Sequence, residues 1–285
     1  MIIINSTTKL CALIGDPVEH SFSPVMHNTA FQLLGLNYVY LCLRVRSVGL
    51  EHAIEGVKSL DILGFNVTIP HKVAVMTYLD EIDPLAKDIG AVNTVVNRGG
   101  RLVGYNTDGL GGLRALEEAG VTLTGKKVVL LGAGGAARAL SFSMAPLADF
   151  LVILNRTKEK AVTLASNLQK RFDKKIFSGT LTRDTLLTEM VDADVLINST
   201  SVGMHPKREE CVVDEDLLHS RMTVFDSVYN PIETRLLREA KKVGAKTVGG
   251  LSMLVHQGVL AFKIWTGVTP PIDVMSHAIK TTLEG

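Results

Sequence analysis

The sequence has few cysteines, almost no net charge and only 5% aromatic residues. Its three cysteines, Cys11, Cys42 and Cys211, are far apart and show neither disulfide-type nor metal-ligand spacing. This pattern excludes a disulfide-stabilised scaffold and favours a reducing, cytoplasmic compartment. Because 30 Lys and Arg residues balance 29 Asp and Glu residues to a net charge of +1, a general nucleic-acid binder is also excluded.

The sequence also lacks a long apolar run. The longest stretch without Asp, Glu, Lys or Arg covers residues 20–43, and it contains two serines, a proline and two asparagines. Such a stretch does not fit a membrane span. The first ten residues show no basic segment followed by an apolar core, so we expect no signal peptide there and no membrane attachment.

What is present is an ordinary globular composition, with 46% apolar and 21% charged residues in a chain of 285. A chain of this length favours two domains. Short apolar strands alternate with amphipathic helices, and this order is typical of parallel sheets covered by helices. We therefore predict an α/β fold with strands at residues 10–14, 38–45, 62–68, 92–97, 101–105, 127–131, 150–155, 175–177, 195–198, 224–227 and 246–248.

Residue types that are typical of helix ends support the helix predictions. Ser23 fits an N-cap, and Pro24 fits the first helical position. Pro70 is likewise expected to open a helix, and Gly120 to end one. Further helices are predicted over residues 48–60 and 110–119, with two closing helices at residues 252–265 and 273–283.

A glycine-rich turn follows the strand at residues 127–131. Gly132 to Ala137 read GAGGAA, which matches G-x-G-x-x-G/A between a strand and a helix. Gly132 permits the tight turn, Gly134 lets the backbone approach a pyrophosphate, and Ala137 permits close packing of helix on strand. A purely structural turn is the simpler alternative, but the complete strand–turn–helix–strand unit favours dinucleotide binding.

The next strand ends without the acidic residue that usually binds the ribose of NAD. Asn155, Arg156 and Thr157 stand there instead, and Lys160 follows. Because a guanidinium can bind a 2′-phosphate through two parallel hydrogen bonds, we predict NADP(H) rather than NAD. The alternative is an ordinary solvated basic helix start.

Four polar segments follow predicted strands, at residues 15–24, 66–72, 90–94 and 104–109. Together with GAGGAA, they continue into NRT at 155–157, NSTSVGM at 198–204, DSVYNP at 226–231 and GGLSMLVHQ at 249–257. In this order the motifs resemble the shikimate dehydrogenase family, from about residue 10 to residue 267. The ordered set is far more specific than any single motif.

The resemblance implies NADPH-dependent, reversible reduction of 3-dehydroshikimate to shikimate, a step towards chorismate and the aromatic amino acids. It also implies two domains. A mostly parallel α/β substrate domain would comprise residues 1–107 and 250–285, with the closing helices returning to it. A Rossmann-type NADP-binding domain would comprise residues 108–249. A homodimer is compatible with the resemblance.

Site residues follow from the matching motifs. Ser21 and Ser23 match the pair that holds the substrate carboxylate, with Tyr229 nearby. The side chains that bind the ring hydroxyls match Thr68, Asn93 and Gln257, and the catalytic pair matches Lys72 and Asp108. For the cofactor, the resemblance implies Gly132, Ala133, Gly134, Gly135, Ala136, Asn155, Arg156, Thr157, Lys160 and Gly250.

The catalytic pair makes chemical sense without the resemblance. Reduction of a ketone needs a hydride and a proton for the developing alkoxide. A lysine ammonium such as that of Lys72 stabilises this negative charge and can deliver the proton. Asp108 beside it would orient the ammonium and bind a substrate hydroxyl.

Simpler explanations stay open for single residues. Ser23 could be only an N-cap, Lys72 a surface lysine, Asp108 an N-cap, and the asparagines at 66, 93 and 106 turn residues. For the whole chain, the alternatives are a broader quinate/shikimate dehydrogenase, a catalytically silent NADPH-binding regulator, and a folate-linked dehydrogenase. Presence of both Lys72 and Asp108 disfavours the regulator. The serines at 21 and 23 would be unexplained in a folate enzyme.

Overall fold

A computed structural model describes residues 4–284. The chain folds into two compact units. The first unit comprises Met1–Thr107 and Val255–Gly285, and the second comprises Asp108–Leu254.

The N-terminal part of the first unit alternates strands and helices before it ends in an antiparallel hairpin. Its elements are β1 (Lys9–Gly15), α1 (Ser23–Leu33), β2 (Tyr38–Arg44), α2 (Leu50–Ser59), β3 (Gly64–Val67), β4 (Glu81–Ile82), α3 (Pro84–Ile89), β5 (Thr94–Arg98) and β6 (Arg101–Tyr105). They form a six-stranded sheet in the order β2-β1-β3-β5-β6-β4. Only β5 runs against its neighbours.

The second unit is a doubly wound sheet. Its elements are α4 (Asp108–Glu118), β7 (Lys127–Leu131), α5 (Gly135–Met144), β8 (Phe150–Asn155), α6 (Lys158–Arg171), β9 (Lys175–Thr180), α7 (Arg183–Glu189), β10 (Val195–Asn198), β11 (Thr223–Asp226), α8 (Arg235–Lys242) and β12 (Lys246–Gly249). The six strands are all parallel, in the order β12-β11-β10-β7-β8-β9. The chain order reverses between β7 and β10, where ligands of such sheets bind.

Two helices complete the chain, α9 (Gly250–Thr266) and α10 (Ile272–Glu284). The helix α9 begins in the second unit and ends in the first, and α10 packs against α1. The predicted α/β class, with two mostly parallel sheets and closing helices that return to the first unit, is confirmed.

Each sheet buries its own apolar core. In the first unit, the core joins strands β1, β3 and β5 to helix α2, and Phe65 and Val95 are fully buried in it. In the second unit, β7, β8, β10 and β11 pack beneath helices α7 and α8. Within the described part of the chain, no helix is both long enough and apolar enough to cross a membrane.

Several local predictions are wrong. The N-cap of α1 is Phe22 rather than Ser23, no side chain caps this helix, and Ser23 is its first residue. Pro70 does not open a helix, since residues 69–73 form turns that lead into a 3₁₀ helix at Ala74–Tyr78. The short β4 and α3 were not predicted, although Asp83 caps α3 ahead of Pro84, a recognisable helix start.

Candidate functional site

The first unit gathers polar side chains where its parallel strands end. Thr68 directly follows β3, and its amide donates to the Ile14 carbonyl on β1 at 2.9 Å. Gly15, the last residue of β1, makes room for it. A Cβ on Gly15 would lie 2.3 Å from Thr68 Cγ2, so this glycine allows the threonine side chain to lie against the strand end.

Asn93 is buried, with 2% of its surface exposed, and hydrogen bonds fix both its backbone and its side chain. Its amide donates to the Tyr105 carbonyl at 3.0 Å, and its carbonyl accepts from Val67 N at 2.8 Å. Its side-chain Oδ1 accepts from Thr107 N at 2.8 Å, and its Nδ2 donates to Thr107 Oγ1 at 3.0 Å. Asn93 is therefore a fixed group of the strand ends rather than a loose turn residue.

Gln257 on α9 joins the same cluster. Thr107 Oγ1 donates to Gln257 Oε1 at 3.5 Å, and both side chains are buried. The structure thus brings together Asn93 and Gln257, two of the residues predicted to bind ring hydroxyls, through the intervening Thr107.

The two predicted carboxylate-binding serines lie at the start of α1. Ser23 N donates to Ser21 Oγ at 3.2 Å, which fixes the turn before the helix. Ser23 is buried, whereas Ser21 is half-buried. Ser23 does not cap its helix, and its side chain forms a hydrogen bond with Tyr40.

Lys72 is half-buried and lies in the turn after Thr68. Its carbonyl accepts from Val92 N at 2.8 Å, so its backbone is tied to the residue before Asn93. The preceding His71 is almost fully buried, and its Nε2 lies 2.6 Å from the Val45 carbonyl. Since a carbonyl only accepts, this nitrogen carries the proton. These contacts make Lys72 part of a fixed segment.

Asp108 and Tyr229 belong to the second unit. Asp108 is the first residue of α4, and the next turns of this helix are rich in glycine. A Cβ on Gly109 would lie 2.2 Å from the Ala139 carbonyl, and one on Gly112 would lie 2.2 Å from Leu140 Cδ2. The glycines therefore let α4 pack closely on α5.

The glycine turn after β7 has the geometry that its sequence predicts. Gly132 has φ +114°, and its amide donates to the Leu154 carbonyl at 2.8 Å. A Cβ there would lie 2.7 Å from Ser199 Oγ. Both the conformation and the space require glycine at this position.

Gly134 differs, because its backbone is extended, with φ −83° and ψ −165°. A Cβ on it would meet no atom within 4 Å, so the fold itself does not require glycine there. The helix α5 begins at the next residue, and the amides of its first turn have no partner within the helix. An anionic pyrophosphate fits such a site.

The basic side chains predicted to bind the 2′-phosphate lie in the turn that follows β8. Asn155 Nδ2 donates to the Thr157 carbonyl at 2.9 Å, which closes the turn into α6. Arg156 and Lys160 are exposed, and neither pairs with a carboxylate within residues 4–284. Lys158 adds a third exposed cation. The turn therefore presents positive charge suited to a phosphate group.

The second unit also contains a buried carboxyl group at the end of a strand. Asp226, at the end of β11, accepts from Thr234 Oγ1 at 2.6 Å, from Asn198 Nδ2 at 3.0 Å and from Val228 N at 3.1 Å. Burial raises its pKa to about 6, although these hydrogen bonds oppose the rise. Gly250 packs on the same loop, since a Cβ there would lie 2.4 Å from the Ser227 carbonyl.

The structure therefore groups the predicted residues by unit. Ser21, Ser23, Thr68, Lys72, Asn93 and Gln257 belong to the first unit. The second unit holds Asp108, Tyr229, Gly132, Ala133, Gly134, Gly135, Ala136, Asn155, Arg156, Thr157, Lys160 and Gly250. Tyr40 and Thr94, buried side chains that hydrogen-bond Asn66, are not among the predicted site residues. Thr94 ends the polar segment 90–94, whereas Tyr40 is a lone hydroxyl on a mostly apolar strand and carries no local signal.

Three family models match the chain. The shikimate dehydrogenase substrate binding domain matches residues 13–95. Shikimate / quinate 5-dehydrogenase matches residues 114–228, and the shikimate 5′-dehydrogenase C-terminal domain matches residues 250–280.

Whole-chain relatives agree with these matches. Shikimate dehydrogenase (NADP(+)) of Methanocaldococcus jannaschii is 51% identical, over 97% of this chain and 98% of that protein. A crystal structure of shikimate dehydrogenase in complex with NADP+ is similar, with a TM-score of 0.93 and 49% identity, over 99% of this chain and 98% of that one. The shikimate 5-dehydrogenase of Listeria monocytogenes, in complex with shikimate and NAD, has a TM-score of 0.91 and 38% identity, over 96% and 97% of the two chains.

Proposed function

Because the chain belongs to the shikimate dehydrogenase family, we propose that it catalyses the reversible, NADPH-dependent reduction of 3-dehydroshikimate to shikimate. The predicted family and enzyme class are confirmed. The observation that carries the proposal is that each unit holds one half of the required machinery. A cluster of hydroxyls, amides and a lysine lies at the strand ends of one sheet, and a dinucleotide turn lies in the other.

We assign the substrate contacts as follows. Ser21 and Ser23 bind the carboxylate, and Tyr229 assists them. The ring hydroxyls bind Thr68, Asn93 and Gln257. This neutral, hydrogen-bonding environment suits a small polyhydroxylated acid, and its buried amides discriminate strongly against ligands without matching hydroxyls.

Lys72 and Asp108 are the proposed catalytic residues. The Lys72 ammonium stabilises the alkoxide that forms at the reduced carbon and transfers the proton. Asp108 orients this ammonium and accepts a hydrogen bond from the substrate. We also propose that the substrate domain comprises residues 1–107 and 250–285 and that residues 108–249 bind the cofactor.

The second unit fits NADP(H), which supplies the hydride when it is bound. Gly134 leaves open space beside the first amides of α5, where the residues from Gly132 to Ala136 would hold the pyrophosphate. Arg156 and Lys160 would bind the 2′-phosphate, with Asn155 and Thr157 shaping the turn. We also assign Gly250 to the cofactor, and its lack of a side chain lets the start of α9 lie close to the Ser227 carbonyl.

The direct test is to add 3-dehydroshikimate to the protein with NADPH and to follow the absorbance of NADPH. We expect a rapid fall, and Lys72→Ala should lower kcat much more than it raises KM. Lys87→Ala, which removes an exposed lysine of the same unit, is the matched control. No absorbance change with folded, NADPH-bound protein would refute the proposed function and favour the silent regulator.

A broader quinate/shikimate dehydrogenase is the second candidate, because the model matched by residues 114–228 covers both activities. The serines at positions 21 and 23 favour shikimate. Assays of shikimate and quinate with NADP+ and with NAD+ separate the two candidates.

Cellular location and assembly are part of the proposal. We propose a cytoplasmic protein, because its three cysteines are free thiols. We also propose a homodimer, for which the exposed Leu41 on the edge strand β2 supplies an apolar contact. Sedimentation velocity gives the oligomeric state directly.

A further inference from the structure

A chain of buried side-chain hydrogen bonds connects β2 to Asn93. Tyr40 Oη donates to Asn66 Oδ1 at 2.8 Å, and Asn66 Nδ2 donates to Thr94 Oγ1 at 3.0 Å. Thr94 Oγ1 then donates to Asn93 Oδ1 at 3.0 Å. We call Tyr40, Asn66 and Thr94 the relay. All three side chains are buried.

Tyr40 anchors the first position of the relay. Its ring stacks on His27, with centroids 4.5 Å apart, and contacts Trp265 at 5.9 Å. Trp265 is itself fixed by a hydrogen bond from Nε1 to the Val95 carbonyl at 2.9 Å. The hydroxyl of Tyr40 is thus held by a rigid aromatic cluster.

The relay has a single direction of donation. Asn66 must accept from the Tyr40 hydroxyl through its oxygen, because its Nδ2 donates to Thr94 and to the Asn93 carbonyl. The amide of Asn66 cannot flip without losing these bonds. Thr94 then receives one hydrogen bond and passes one on to Asn93.

This direction determines how Asn93 can meet a ligand. Its Oδ1 accepts from Thr107 N and from Thr94 Oγ1, so both lone pairs of the oxygen are engaged. Because Oδ1 is engaged in this way, the Asn93 side chain presents itself to a ligand as a donor through Nδ2, which also donates to Thr107 Oγ1 at 3.0 Å. A ring hydroxyl at this position must act as an acceptor, and its own proton must point elsewhere.

We propose that Tyr40 and Thr94 are positioning residues of the substrate site, which act through Asn66 to orient the amide of Asn93. The inference rests on the proposed function, since it assigns Asn93 to a substrate hydroxyl. A ligand group that can only donate is rejected at this position, so the relay contributes to substrate selection.

The sharpest test compares two substitutions of Thr94. Thr94→Val keeps the shape but removes the hydroxyl, whereas Thr94→Ser keeps the hydroxyl. We expect Thr94→Val to raise KM for 3-dehydroshikimate by about tenfold or more, the loss typical of one broken buried hydrogen bond. Thr94→Ser should stay within about threefold of wild type. The Kd for NADPH should be unchanged in both variants.

Tyr40→Phe supplies an independent measurement should Thr94→Val not fold. It removes the hydroxyl that begins the relay and that also hydrogen-bonds the Ser23 side chain, and we expect a rise in the same KM with an unchanged Kd for NADPH. The comparison of Thr94→Val with Thr94→Ser separates the relay from the Ser23 contact. Tyr38→Phe is the matched control, since Tyr38 lies two residues earlier on β2 and outside the relay. It should keep the wild-type KM.

Three results would overturn the inference. Equal KM values for Thr94→Val and Thr94→Ser would show that the hydroxyl is not used. An equal effect of Tyr40→Phe and Tyr38→Phe, or a parallel loss of NADPH affinity, would indicate general destabilisation. A wild-type protein that does not reduce 3-dehydroshikimate would instead refute the proposed function, and the assignment of Asn93 with it.

Discussion

The first unit buries a base and the second buries an acid, and in each case burial shifts the pKa in the direction that favours the neutral form. His27 is fully buried among Tyr40, Phe31 and Phe262, and neither ring nitrogen has a hydrogen-bond partner within residues 4–284. Asp226 is also fully buried, but three donors surround it. The same desolvation therefore acts on opposite charges, and the two units should respond to pH in opposite directions.

The candidate sites differ in a related way. In the first unit, the proposed substrate residues are themselves members of the buried hydrogen-bond network, as Asn93 shows. In the second unit, the proposed cofactor contacts are backbone amides near Gly134 and exposed cations such as Arg156, while Asp226 lies in a separate buried network. Ligand binding and stability should therefore be coupled in the first unit and separable in the second.

His27 should give the largest effect. Burial lowers its pKa from 6.5 to about 3, so below about pH 6.5 the unfolded chain binds a proton that the folded chain does not. The contribution of neutral His27 to the free energy of unfolding is fully present above the unfolded-state pKa of 6.5 and is lost as pH falls towards 3. With about 1.36 kcal/mol per pKa unit, the full loss is about 5 kcal/mol. Urea unfolding of wild type and His27→Leu across this range measures it.

The difference in unfolding free energy between wild type and His27→Leu should change steadily with pH, in favour of the variant under acid conditions. A constant difference would show that His27 is not the source of acid sensitivity in the first unit. Thermal unfolding at neutral pH checks that the leucine packs normally.

Asp226 should act in the opposite direction. Burial raises its pKa from 3.8 to about 6, so the folded chain keeps a proton that the unfolded chain has lost. The stabilisation is complete below the unfolded pKa and is lost as pH rises through the folded one. The expected change is about 3 kcal/mol. Asp226→Asn should remove this pH dependence, and wild type should lose stability relative to it between about pH 4 and pH 7. Parallel curves for the two proteins would contradict the assignment.

Gly134→Ala tests whether binding and stability are separable in the second unit. Because the added Cβ meets no atom within 4 Å, the unfolding free energy should be unchanged. The methyl group would instead occupy the approach of the pyrophosphate, and NADPH affinity should fall by about 30-fold, which is about 2 kcal/mol. Isothermal titration measures the Kd. Gly56→Ala, at an open position on α2, is the control, and a loss of stability in Gly134→Ala would contradict the separation.

The sequence predicts the cofactor turn better than the buried polar network of the first unit, because the turn depends on neighbouring residues and the network depends on sheet pairing. Local backbone geometry determines the strand at residues 127–131, the glycine turn and α5. Residues close together in the sequence, such as Gly132 and Gly134, are therefore enough to predict these elements. The relay joins Tyr40 to Asn66 and Asn66 to Thr94, pairs 26 and 28 residues apart. No local pattern relates such residues, because sheet pairing brings them together. The N-cap prediction for Ser23 failed for a local reason, because α1 begins one residue earlier than predicted, with Phe22 as its N-cap and Ser23 as its first residue.

Arg156→Gln should have the smallest effect and should show whether exposed charge in the second unit contributes specificity. The guanidinium is exposed, so water screens it, and its removal should weaken NADPH binding by only about tenfold, or 1.4 kcal/mol. NADH has no 2′-phosphate, and its KM should not change. Lys170→Gln removes an equal charge from the opposite end of α6 and should leave both KM values unaltered. If Arg156→Gln weakened both cofactors equally, Arg156 would contribute only to the general positive potential. Selection of the 2′-phosphate would then depend on Lys158 or Lys160, whose exposed ammonium groups lie in the first turn of the same helix.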